Sequence, residues 1–290
     1  MVDERNARRE RKRRQVRRRR ILAGGALLVA AAAIVAVAVT AMAGGETDHN
    51  ERGRGSNRIP TQSSTTPKAD WRPYRGPVPI LEYHVLGAAP ADEPYPDLYV
   101  TRPDFHKQMN WLDEHAYEAV TLEQVEEAWY QGATLPPKPV VVSFDDGYRP
   151  QFTYALPELR RHGWAGVLNL KAEGSDLYPS NVEAMIAAGW EIAAHTINHL
   201  DLTELDAAQL KEEVAGSRAI LRRDYGVPVK NFCYPAGRFD ATVIAAVRAA
   251  GYAGATTEIA GYADREHPYE LDRYEILGSQ GVAGMVSDLR

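Results

Sequence analysis

The chain has 290 residues, 25% of them charged and 44% hydrophobic, with a net charge of −5; that length accommodates one domain of ordinary size with appendages. Residues 1–20 carry eleven Lys or Arg against three acidic residues, so the remainder holds −13, a balance that argues against nucleic acid as its partner. Cys233 is the single cysteine, which excludes an intrachain disulfide.

The Arg-rich residues 1–20 run directly into ILAGGALLVAAAAIVAVAVTAMA, residues 21–43, which contain no charge. About 20 apolar residues cross a bilayer as a helix, and a basic flank holds the preceding terminus in the cytoplasm. The pattern predicts a basic cytoplasmic tail over 1–20, a transmembrane signal anchor over 21–43 and an extracytoplasmic remainder. The apolar run exceeds the usual signal core of about 7–15 residues. Ala41-Met42-Ala43 nevertheless fits a small-residue cleavage site, and cleavage after Ala43 would yield a secreted protein. Read alone, the basic tail could be a nucleic-acid arm; the apolar segment beside it accounts for its charge more simply. Residues 44–75, rich in Gly, Ser, Thr, Pro and charge, read as a flexible spacer.

From residue 76 to 290 strands alternate with helices. VPILEYHVL (78–86) predicts a strand, and Pro103 opens a segment with Phe105, Met109 and Leu112 on one helical face. Thr121 with Gln124 forms a capping box for a helix through Trp129. VVVSF is a strand, 149–162 a helix despite Pro157, AGVLNLK (165–171) a strand, 181–188 a helix and GWEIAA (189–194) a strand. Asp206 with Gln209 caps a long helix that ends near Tyr225-Gly226. KNFCYP (230–235) is strand-like, Asp240 caps a helix that stops at Gly251, and AGATT (253–257) and ELDRYEI (270–276) are the last strands. The alternation predicts an α/β fold with a parallel sheet. A doubly wound sheet and a barrel both place ligands at the carboxyl ends of the strands.

The polar residues that invite chemistry fall at such ends. Asp145-Asp146 closes VVVSF, and H-T-I-N-H, His195 to His199, closes GWEIAA. Asp146-Gly147 could be no more than a turn, and two His four residues apart are weak evidence alone. One Asp with two His supplies three protein ligands and leaves a position for water, the arrangement of a catalytic zinc site. A second carboxylate can then take the proton of that water. Two bare carboxylates side by side repel and raise one pKa, which a divalent cation would relieve.

S-F-D-D-G, followed some fifty residues later by H-T-I-N-H, resembles the first two motifs of the polysaccharide deacetylases, carbohydrate esterase family four. The resemblance covers roughly residues 76–290. It implies a distorted, incomplete (β/α) barrel, with Asp145 as catalytic base and Asp146, His195 and His199 as ligands of a divalent metal, zinc above all. F-C-Y-P-A-G, Phe232 to Gly237, resembles the third motif, which supplies a backbone N–H to the oxyanion. Its usual Arg and Tyr positions are here Cys233 and Ala236. No histidine follows His267, whereas I-L-E-Y-H ends in His84. This is similar to the circularly permuted branch related to poly-N-acetylglucosamine deacetylases, and it implies His84 as the general acid. Arg273, in L-D-R-Y, resembles the Arg that orients the base; a solvated surface Arg is the alternative. The expected activity is N-deacetylation of an N-acetylglucosamine-containing polysaccharide of the cell envelope. An O-acetyl polysaccharide esterase and an inactive glycan-binding relative are the alternatives, the latter because of the altered third motif.

Overall fold

Near-continuous apolar runs such as VPILEY and PVVVSFD, buried on both faces, are the strands of a parallel sheet. In the computed structural model, which describes residues 70–290, this sheet curls into a half-barrel. Seven strands form it: β1 (Val78–Tyr83), β2 (Pro139–Asp145), β3 (Val167–Leu170), β4 (Glu191–Ala194), β5 (Asn231–Cys233), β6 (Gly254–Thr256) and β7 (Tyr274–Glu275). Their spatial order is β6-β5-β4-β3-β2-β1-β7, each pair parallel. Leu271 bonds to β6 through Thr257 N–H (2.9 Å) and Ala255 O (2.9 Å), while Tyr274 pairs with Leu81 of β1. One short segment thus touches both edges of the curl. The predicted tail, transmembrane anchor and most of the spacer lie outside the described residues. Among the described residues no helix is long and apolar enough to cross a membrane.

The outer face of the strands, including Leu81, Tyr83, Val142, Phe144, Leu168, Ile192 and Phe232, packs in the main apolar core with the helices. On the other parity, Ile80, Val141, Val167 and Ala193 form a second cluster. Continuing along that same parity towards the carboxyl ends come Glu82, Ser143, Asp145, Asn169, His195 and Cys233, all buried. Apolar below and polar above, this face is the concave one, since its side chains meet across non-adjacent strands.

Local signals set the helices. Thr121 and Gln124 close the expected capping box on α2 (Leu122–Gln131), which follows α1 (Arg102–Glu114) and ends in the left-handed Gly132. Segment 149–162 is helical as expected, with a π-helical stretch, Gln151–Ala155, running into α3 (Leu156–Arg161) and Pro157 just after the wider turns. Next come α4 (Pro179–Ala187), then the expected long helix capped by Asp206, made of α5 (Ala207–Lys211), a π-helical stretch Glu212–Gly216 and α6 (Ser217–Tyr225), and α7 (Ala241–Ala249) capped by Asp240. The predicted strand 78–86 breaks at His84, after which Val85–Leu86 pairs with Tyr99–Val100 instead. A last helix, α8 (Gly281–Asp288), is not anticipated by the sequence reading. Its two glycines lower its propensity, and tertiary contacts hold it: Gln108 Nε2 donates to Gly281 O (3.0 Å), and Met285 is buried in the main core.

At the amino ends of the strands a buried acidic pair tests the packing. Asn231 Nδ2 donates to Glu191 Oε1 (2.9 Å) and Glu126 Oε2 (3.3 Å). Burial, and then the Glu191 charge, push Glu126 up to about 8; burial pushes Glu191 up to about 7. Both carboxyls bind protons more tightly folded than unfolded, so their contribution is fully present below the unfolded value and is lost as pH rises towards 7–8. Glu126→Gln should match the wild type in thermal stability at pH 4, below the unfolded value, and exceed it above pH 8. Equal pH dependence of the two proteins in calorimetry would contradict this.

Candidate active site

Asp145 ends β2 and pairs in register with Asn169 of β3, so both side chains point into the curl. Asn169 Nδ2 donates to Asp145 Oδ1 at 2.7 Å. Arg273 grips the same carboxylate with two bonds, Nη1 to Oδ1 at 2.8 Å and Nη2 to Oδ2 at 2.9 Å, the bidentate geometry a guanidinium favours. Its Nε donates to Thr257 O (2.8 Å), and Nη2 lies 3.1 Å from Glu82 Oε1. Arg273 is fully buried, which removes the alternative of a solvated surface Arg. Cys233 Sγ donates to Asp145 Oδ2 at 3.4 Å and accepts from Arg273 Nη2 at 3.2 Å. Burial alone would raise the Asp145 pKa, but the Arg273 charge and bonds outweigh it and hold the carboxyl well below the usual range. Burial pushes the Cys233 thiol up, so it stays neutral.

This corrects one expectation from the sequence. The adjacent aspartates do not depend on a cation to relieve their repulsion, because Arg273 compensates Asp145 and the backbone then turns. Asp146 and Gly147 both have positive φ, 73° and 76°. A Cβ on Gly147 would stand 2.5 Å from Ser175 Oγ and 2.6 Å from Leu170 Cδ1, so only glycine fits. Ser175 Oγ and Asp176 N–H both donate to the Gly147 carbonyl, at 2.9 and 3.1 Å. Asp146 is thereby aimed away from Asp145 and towards the histidines.

His195 and His199 leave β4 in a compact loop. Thr196 Oγ1 donates to His195 O (2.6 Å) and accepts the His199 N–H (2.8 Å). From the junction of α5 and α6, Glu213 accepts the N–H groups of Ile197 and Asn198, each at 2.9 Å. Of five non-glycine residues with positive φ among those described, Asp146, Thr196, His199 and Ala236 are four; such conformations store strain and persist where surrounding bonds over-determine them. His195 Nδ1 bonds to Cys233 O at 2.9 Å. Burial lowers the His195 pKa to about 4, so the ring is neutral, Nδ1–H donates, and Nε2 keeps its lone pair. Nε2 of His195 and of His199 lie 3.8 and 3.5 Å from Asp146 Oδ1.

One atom each of Asp146, His195 and His199 lies within 4.8 Å of the others, as in a metal-ligand set. Asp145, His195 and Cys233 form an overlapping cluster. A cation there would face the Arg273 guanidinium that occupies both Asp145 oxygens, and its sulfur ligand is a neutral thiol. The chemistry of the donors therefore fits a divalent cation at Asp146, His195 and His199 better.

His84 stands just past β1, on the same face as Glu82, with Nε2 3.7 Å from Glu82 Oε1 and a buried Nδ1 that has no hydrogen-bond partner among the described residues. Gln151 Nε2 ties the ends of β1 and β2 together by donating to His84 O (3.0 Å) and Asp145 O (2.6 Å). In the third motif, Tyr234 N–H is taken by Thr256 O (3.2 Å) and Pro235 has none. That leaves the N–H of Ala236, at a strained turn with φ 49°, as the candidate oxyanion donor.

Sequence reading missed Asn169, Lys171, Gln151, Glu82 and Glu213. The signal for two of them was present: Asn169 and Lys171 are polar, two apart, in an otherwise apolar strand. Each meets one aspartate, for Lys171 Nζ lies 3.7 Å from Asp146 Oδ1.

Residues 132–255 match the family model for polysaccharide deacetylase. The chain is 28% identical over 212 residues to YxkH of Bacillus subtilis, a protein assigned by name to the polysaccharide deacetylases; the match spans 71% of this chain and 73% of that protein. It is 36% identical over 95 residues to the poly-β-1,6-N-acetyl-D-glucosamine N-deacetylase of Escherichia coli K12, covering 33% of this chain and 14% of that protein. Among solved structures, the deacetylase PplD of Streptococcus pyogenes in complex with acetate shares the fold, with a TM-score of 0.69 at 21% identity over 75% of this chain and 100% of that one. The family-matched segment contains both aspartates, both histidines and the third motif, but neither His84 nor Arg273.

The ammonium of Lys171 beside Asp146 opposes a divalent cation on the same carboxylate. Lys171→Met should tighten zinc binding about tenfold, measured by competition with a chromophoric chelator; unchanged or weaker binding would exclude this electrostatic role.

Proposed function

We propose, given that the chain belongs to the polysaccharide deacetylase family, that it is a metal-dependent hydrolase which removes N-acetyl groups from an N-acetylglucosamine-containing polysaccharide of the cell envelope. The observation that carries this reading is the division between the two aspartates. Asp145 is held ionised by Arg273, while Asp146 is turned towards His195 and His199. When bound by these three residues, a divalent cation, zinc in this reading, would lower the pKa of a coordinated water towards 7 and polarise the acetyl carbonyl.

The chain's own residues do the rest. Asp145 accepts the proton of the attacking water. A carboxylate offers about four acceptor sites, and three N–H groups and one thiol occupy those of Asp145. The thiol contact, 3.4 Å long, is the weakest and is the one that yields to water. The Ala236 N–H donates to the developing oxyanion, a contribution of the kind worth about 3–4 kcal/mol when a donor is removed. His84 protonates the departing amine. Its place outside the family-matched segment, beside the Asp145 backbone through Gln151, supports the permuted arrangement. The 36% match to a deacetylase of poly-β-1,6-N-acetyl-D-glucosamine supports an aminosugar polymer as substrate. A membrane anchor over 21–43, with its spacer, would hold the domain against such a polymer outside the cytoplasm.

Metal analysis joined to acetate release from N-acetylglucosamine oligomers and from acetylated xylan tests the proposal. Wild type should release acetate from the oligomers in a chelator-sensitive manner. Asp145→Asn should retain metal and lose at least about 100-fold in turnover. His84→Ala should retain metal and lose most amide hydrolysis. Acetate released from xylan alone would replace the amidase reading with an esterase.

A further inference from the structure

Four large apolar side chains are well exposed among the described residues, and three stand on loops leaving the carboxyl ends of the strands. Tyr95 (48% exposed) follows β1, Tyr178 (59%) follows β3, and Leu200 (42%) follows β4, immediately after His199. Tyr130 (52%) is the exception, at the end of α2 with its hydroxyl on Arg265 O. Single exposed apolar residues need no explanation. The placement of Tyr178 and its mounting set it apart.

Tyr178 is anchored through its backbone and backed on one face of its ring. Its N–H donates to Asn181 Oδ1 (3.0 Å) at the start of α4. The Arg149 guanidinium lies 4.3 Å from the ring centroid, and Arg149 Nη2 donates to Asp176 O (3.0 Å). Asp176 N–H in turn donates to Gly147 O (3.1 Å), the residue after Asp146. Arg149 is three residues from Asp146, which places their Cα atoms within about 11 Å. The ring is therefore a half-apolar surface on the loop that follows β3, at the same end of the sheet as the candidate metal ligands, backed by a cation on one face and otherwise open to solvent. A pyranose presents an apolar C–H face that stacks on the free face of such a ring, while its hydroxyls meet water.

We propose that Tyr178, backed by Arg149, is a stacking platform for a sugar ring of the N-acetylated glycan next to the unit being deacetylated, with Leu200 contacting the chain beyond His199. The platform rests on the deacetylase reading and adds to it that the substrate is recognised as a chain rather than as single sugars. Tyr178 holds no metal ligand and no reacting atom, so its loss touches recognition alone.

The test uses full-length protein and N-acetylglucosamine oligomers from the monosaccharide to the hexasaccharide, with binding measured calorimetrically and turnover by acetate release. Wild type should bind longer oligomers more tightly. Tyr178→Ala should weaken hexasaccharide binding and raise its KM about fivefold, leaving kcat and monosaccharide binding unchanged. Tyr178→Trp should restore the length preference, and Tyr130→Ala should behave as wild type. Equal losses at every length, or a length preference that survives Tyr178→Ala, would overturn the platform. Length-dependent binding that needs Tyr178 without any acetate release would uphold the platform and overturn the deacetylase reading instead.

Discussion

The bidentate pair between Arg273 and Asp145 is the interaction around which the upper half of the curl is arranged. Both groups are buried, and desolvating two charges is expensive unless geometry and further hydrogen bonds compensate. The surroundings supply them: Asn169 from β3, Thr257 after β6, Glu82 from β1 and the Cys233 thiol from β5. A pair so heavily supported contributes less to net stability than to fixing one carboxylate, ionised, at one place. It also draws the segment 271–275, which bridges the two edges of the sheet, onto the concave face.

From that fixed point the roles separate. The left-handed turn at Asp146-Gly147 takes the second carboxylate out of the Arg273 field and hands it to His195 and His199. The two halves remain mechanically joined through Cys233, whose carbonyl sets the His195 tautomer while its sulfur touches Asp145 and Arg273. Where the resembling family commonly has an Arg in the third motif, this chain has a small neutral thiol and brings its cation from β7's approach instead. The Arg273 guanidinium reaches Asp145 from outside that motif, so the altered motif is no argument against an ionised base.

Much of this was legible beforehand. The caps at Thr121, Asp206 and Asp240, the strand cores and the aspartate and histidine motifs all rest on local chemistry, in which a residue's role follows from neighbours within a few positions. The helix at 281–288 was not, because its two glycines argue against it locally and only packing against α1 and β1 holds it. Asn169 and Lys171 were half legible: period-two spacing puts them on one face, but which face looks inward depends on the whole sheet.

Sequence by itself determined the alternation of strands and helices, the pairing of Asp145-Asp146 with His195 and His199, and the uncharged stretch at 21–43. It could also point to His84 and Arg273, through resemblance, without showing what either touches. Tertiary structure decided that Arg273 is buried on Asp145 rather than solvated, that the two aspartates face different partners, and that Glu82, Asn169 and Lys171 belong to the site. The physical reason is range. Turn, cap and periodicity signals act over a few residues, whereas the compensation of a buried charge depends on groups that are 128 positions apart in the chain and 2.8 Å apart in space.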